Sequence, residues 1–129
     1  MDIIDQYTEL VESKRWAEAL PLIEEITARG PHIATSWFNY GVCLSAVGRN
    51  AEAAEKFLKA YELRPDNFGA QYRAFRSLFD AGEIERFLAL ARRECEKMPE
   101  LIEILLEDED FSILFDRPEF QELKEHFQE

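Results

Sequence analysis

Glycine and proline are scarce in this chain, five of each in 129 residues. That scarcity argues against a sheet-rich, turn-rich sandwich. Cysteine is scarcer still. Cys43 and Cys95 are too few for a disulfide framework, and both fall in segments patterned as amphipathic helix, so they read as reduced, buried thiols. No uninterrupted apolar run approaches the roughly 20 residues of a membrane span. The amino terminus, Met-Asp-Ile-Ile-Asp-Gln, places acids where a secretory signal carries positive charge. These features predict a cytoplasmic location with no membrane partner. Positive charge is also short, with 15 Lys and Arg against 27 Asp and Glu, a net of −12. That balance repels nucleic-acid phosphate and anionic lipid, so no nucleic-acid partner is expected.

Chemistry-bearing patterns are equally sparse. No glycine-rich phosphate loop or dinucleotide fingerprint occurs. His32 and His126 lack partners at ligand spacing, and neither cysteine has a histidine at a recognisable distance in sequence. The acids of Glu107 to Asp110 lack the alternating oxygen ligands and the glycine of a calcium loop. They read instead as a solvated turn whose Asp110 caps the next helix. The expectation is a protein without cofactor, metal or catalytic residues.

Apolar material is ample, at 47% beside 33% charged residues, which gives a real core and excludes global disorder. Its arrangement repeats. Pro31, Pro65 and Pro99 are 34 residues apart, and the same offset aligns Leu10 with Leu44 and Leu78, and Gly48 with Gly82. A period of 20–50 residues marks a stacked-repeat architecture. In the middle unit Trp37, Tyr40, Gly41 and Leu44 form one helical stripe. Gly48 breaks it, and Asn50 is expected to cap the next helix. Ala53, Phe57 and Ala60 then recur at helical spacing until Pro65 stops the segment. Two helices of about 13 residues and a short turn make an antiparallel hairpin. Small residues let the two backbones approach, and Trp37 and Phe57 fill the space between layers.

Those residues, with Gly48, Ala53, Phe57, Ala60 and Pro65 at their spacings, resemble a tetratricopeptide repeat (TPR). The preceding unit keeps Leu10, Ala19, Ile23 and Pro31 but has Tyr7 where glycine is usual. The following unit keeps Leu78, Gly82 and Pro99, carries Phe75 at a small position, and reverses the usual small-then-large order with Phe87 and Ala91. Glu94, at a further small position, suggests a helix face not covered by another repeat. Pro21, inside the second helix, predicts a late start or a bend there.

Residues 100–129 hold eleven acids against Arg117 and Lys124, a net of −9, so the first 99 residues carry −3. Asp116-x-x-Glu119 with Pro118 reads as a capped helix start. This segment resembles the tail that closes many bacterial TPR proteins. The resemblance implies an all-α fold, a right-handed superhelical stack of three antiparallel hairpins with C-terminal capping helices, forming one domain over 1–129. Its repeats would occupy about 1–33, 34–67 and 68–101, with an acidic tail over 102–129.

The resemblance also implies a function. In TPR proteins the first helix of each hairpin lines a concave groove that holds a peptide. Projected here, the groove takes Ile4, Asp5 and Thr8, then Thr35, Phe38, Asn39 and Val42, then Tyr72, Arg73, Arg76 and Phe79. Aromatics beside arginines suit an extended peptide of acidic or C-terminal carboxylate character. Asn39 and Arg73 match two of the five positions of the carboxylate-clamp subfamily, whereas Ile4, Thr8 and Gly69 at the other three cannot supply that contact. The expected role is a non-enzymatic protein–protein adaptor. The alternative is a chaperone for a secreted or aggregation-prone client. Monomer or weak homodimer is expected, because Ile3, Tyr7 and Leu10 have no preceding cap.

Overall fold

The computed structural model describes residues 1–128. It comprises two compact units, Met1–Ala81 and Gly82–Glu129. Among the described residues every regular element is a helix.

The first unit holds α1 (Ile3–Glu12), α2 (Trp16–Arg29), α3 (Ala34–Ala46), α4 (Asn50–Leu63) and α5 (Phe68–Asp80), each packed on the next in chain order. The hairpin turns share one backbone solution. Lys14 and Gly48 take positive φ, and the residues after them, Arg15 and Arg49, have almost the same φ and ψ, −91° and 66° against −90° and 65°. Both arginines then pair with the carboxylate three residues on, Glu18 and Glu52. These pairs are exposed and contribute little to stability. The helix start is therefore fixed by the turn backbone, and the expected Asn50 cap is not formed: Asn50 is the first residue of α4, and no side chain caps it. Pro21 does not delay α2, which begins at Trp16 and runs through it. The proline forfeits one backbone bond, and its ring is exposed to solvent.

The core follows the repeat. Ala19, Ile23 and Cys43 are buried together, with Tyr7, Leu10, Val11, Trp16 and Tyr40 packed around them. In the second hairpin Leu44, Ala53, Phe57 and Ala60 are buried. Burying a ring such as Phe57 contributes about 1.5–3 kcal/mol. Trp37, at the first turn of α3, donates its indole N–H to the Pro31 carbonyl at 2.8 Å, which satisfies the polar edge of a half-buried ring.

The second unit holds α6 (Ile84–Lys97), α7 (Leu101–Glu107), a 3-10 helix (Glu109–Leu114) and α8 (Pro118–Phe127). Both α7 and α8 pack on α6. Phe87 of α6 meets Phe111 edge-on with centroids 4.9 Å apart, so the large ring in this place serves the tail. Glu94, on the helix whose outer neighbours are α7 and α8 rather than a further repeat, is 1% exposed, with the Lys97 ammonium 2.9 Å from its carboxylate. Two expected caps change here. Asp108 rather than Asp110 is the cap, accepting from the Asp110 backbone N–H at 3.0 Å at the start of the 3-10 helix. Asp116 caps nothing. The residue before α8 is Arg117, which bonds Glu85 at 3.2 Å, while Pro118 does occupy the first turn.

Candidate functional site

The second hairpin and α5 present the face on which the sequence placed its recognition residues. α3 contains no charged residue and turns Ser36, Gly41, Cys43 and Leu44 inward. The opposite side of α3 carries Thr35, exposed, and Phe38, Asn39 and Val42, half-buried. α5 buries Ala70, Gln71, Ala74, Phe75, Ser77 and Leu78. Arg73 is left exposed, with Tyr72, Arg76 and Phe79 half-buried beside it. Spacings of three and four residues put each set on one helix face.

Local contacts hold these helices in place. Asn67 accepts from the Ala70 N–H at 3.1 Å and starts α5. Gln71, itself buried, donates to the Tyr61 hydroxyl at 3.2 Å and ties α5 to α4. Tyr7 of α1 lies within hydrogen-bond distance of the Cys43 thiol on α3, at 3.7 Å. Gly41 leaves room for the Phe57 ring, whose atoms come within 2.8 Å of where a Cβ would stand. Phe57 in turn meets Phe38 edge-on at 5.4 Å.

Of the eight residues on this face, Phe38 and Arg73 are brought into direct contact. The guanidinium carbon of Arg73 is 5.3 Å from the Phe38 centroid and 6.0 Å from that of Phe57. Among the described residues no carboxylate lies within ion-pair distance of Arg73. Arg76 differs, because Asp80 one turn on sits 3.5 Å from it. Thr35 lines a shallow depression with Ala34, Arg64, Asp66 and Asn67 at the α4–α5 turn, where Arg64 and Asp66 pair at 3.5 Å. Two participants were missed. Phe57, assigned wholly to the core, is the floor under Phe38 and Arg73. Asp80 engages Arg76, and its i, i+4 spacing was the available signal.

Elsewhere the titratable groups are structural. Burial pushes the Tyr7 hydroxyl up, with its bond to Cys43 adding to the effect, and burial raises Cys43 as well. Cys95 is pushed up to about 11, first by burial and then by the neighbouring Glu94 carboxylate. Such thiols are poor nucleophiles at neutral pH. Both are free and buried. No helix among the described residues is long and apolar enough to cross a membrane.

No curated protein matches the chain. Residues 5–68 match the family model of the tetratricopeptide repeat. That match covers α1 to α4 and the turn into α5, a stretch in which the 34-residue offset reproduces the turn backbone, the ion pair and the 14-residue length of the second helix. On its matched hairpins and its all-helical architecture, the chain belongs to the tetratricopeptide-repeat family.

Proposed function

We propose that this chain is a non-catalytic adaptor that holds an extended peptide segment of a partner protein against the exposed face of α3 and α5. Tetratricopeptide repeats mediate protein–protein interaction, and the finer reading names where and how. Affinity comes from half-buried rings that give contact area at low entropic cost, Phe38, Tyr72 and Phe79, with Val42 between them. Asn39 carries both a donor and an acceptor for a peptide backbone. Selectivity comes from cations, which favour a side-chain or C-terminal carboxylate. The observation that carries this reading is Arg73: exposed, held over Phe38, and among the described residues without a carboxylate of its own.

The test is an amide chemical-shift titration with a short acidic peptide bearing a free C-terminal carboxylate, beside its C-terminally amidated form. The reading expects shifts concentrated on Thr35, Phe38, Asn39, Val42, Tyr72, Arg73, Arg76 and Phe79, and weaker binding by the amidated form. Shifts that avoid α3 and α5 with both peptides would overturn it.

A further inference from the structure

The repeat places equivalent positions of successive first helices side by side, and two contacts fix this order within the first unit. Tyr7 on α1 reaches Cys43 on α3, and Phe38 on α3 reaches Arg73 on α5. At an offset of 34 residues two rows run across the three helices. One row is apolar: Ile4, 58% exposed, then Phe38 and Tyr72, half-buried. The adjoining row is Asp5, Asn39 and Arg73, which runs from anion through neutral amide to cation. Neither end of that row is neutralised. Among the described residues Asp5 and Arg73 both lack an ion-pair partner, in contrast to Arg76 with Asp80. The rest of α1 repeats the sign, with Glu9 and Glu12 exposed and no cation between Ile3 and Glu12. α3 between them is uncharged.

We infer that the occupant of this face is a segment of mixed charge, with a base over Asp5, an acid over Arg73 and apolar residues between them. This rests on the adaptor reading and adds α1 to it. α1 and α3, and α3 and α5, meet through long side chains rather than close backbones, so their axes stand at or beyond the roughly 10 Å upper end of helix packing. α1 therefore lies at least about 20 Å from α5, which an extended chain at about 3.3 Å per residue spans in about six residues or slightly more. The occupant's two charges stand that far apart. A segment with like charges at both ends meets attraction at one end and repulsion at the other, so the row discriminates by sign as well as attracting.

Four blocked synthetic peptides test this, sharing one apolar centre and differing in the end pair at that spacing: Lys/Glu, Lys/Lys, Glu/Glu and Gln/Gln. Binding is read by amide shifts at low and high salt. The Lys/Glu peptide is expected to bind about fivefold tighter than Gln/Gln at low salt, with the gap closing at high salt. R73E should move the preference to Lys/Lys, and D5K should move it to Glu/Glu. Both substituted side chains are exposed, and R73Q and D5N, which should each only flatten the ranking, provide milder variants. A ranking that R73E and D5K leave unchanged overturns the inference. So does a Gln/Gln peptide that binds α3 and α5 as well as Lys/Glu, which would leave the adaptor reading intact. If none of the four shifts α3 or α5 signals, the inference fails, and the adaptor reading fails with it only if the peptide with a free C-terminal carboxylate leaves those signals unmoved as well.

Discussion

Lys14 and Gly48 occupy the same place in successive hairpin turns, and both have left-handed backbone, with φ of 57° and 82°. Gly82, a further 34 residues on, has φ of 73°. Glycine takes this conformation freely, whereas a side chain there crowds the following carbonyl at a cost of about 1 kcal/mol. Lys14 keeps that strain because the Arg15 backbone after it must adopt the geometry that starts α2. Lys14→Gly should therefore raise stability by about 0.5–1 kcal/mol, and Gly48→Lys should lower it by about 1 kcal/mol. Nothing lies within 4 Å of a Cβ built on Gly48, so the loss is conformational rather than steric. Urea midpoints of the two variants check the opposite signs.

Gly41 acts through space instead. A methyl group there would stand 2.8 Å from the Phe57 ring, closer than carbon atoms approach, and that ring is 1% exposed with little room to retreat. Gly41→Ala should destabilise the protein by about 1–3 kcal/mol. It should also displace the ring on which Phe38 and Arg73 rest. Pairing it with Phe57→Leu should recover part of the loss, so the double variant is less unstable than the two single losses predict. Additive losses in chemical denaturation would count against direct contact.

How much of this was readable beforehand differs by kind of interaction. The hairpins, their 34-residue period and the glycine turns were legible, because each rests on local pattern: helical spacing, a positive-φ glycine, a proline stop. Helix caps were not. Asn50, Asp110 and Asp116 each had the chemistry of a cap, yet α4 starts from the turn backbone after Gly48, the 3-10 helix from Asp108, and α8 without a side-chain cap and with Pro118 in its first turn. The burial of Glu94 was not legible either: what covers it depends on contacts distant in sequence. On the candidate face, spacing picked out Phe38 and Arg73 separately. Their contact across two helices, and the claim of Asp80 on Arg76, required coordinates.

Phe111 sits in the acidic tail but is fully buried and meets Phe87 of α6. The tail is therefore part of the core of the second unit, whatever its charge does outside. Phe111→Ala removes a fully buried ring and should cost about 3–5 kcal/mol. Phe111→Leu, which keeps most of the volume, should cost much less. A Phe111→Ala protein as stable as the parent in thermal unfolding would mean that the tail contributes no core.

Raised pKa values give the stability a pH dependence of definite sign. Cys95 titrates near 11 in the folded chain, against 9.0 for the unperturbed thiol, and Tyr7 and Cys43 are raised in the same sense. A group raised on folding holds its proton in the native state after the unfolded chain has released it. Its contribution is fully present below about pH 9 and is lost as the pH climbs towards the folded value. For Cys95 the loss proceeds at about 1.4 kcal/mol per pH unit between those limits. Urea midpoints should stay flat near pH 8 and fall steeply from pH 9 to 11. Cys95→Ser, which does not ionise in this range, should start from a lower stability but decline less steeply. Parallel declines in the two proteins would assign the alkaline loss to Tyr7 and Cys43, whose shifts share the same cause in burial.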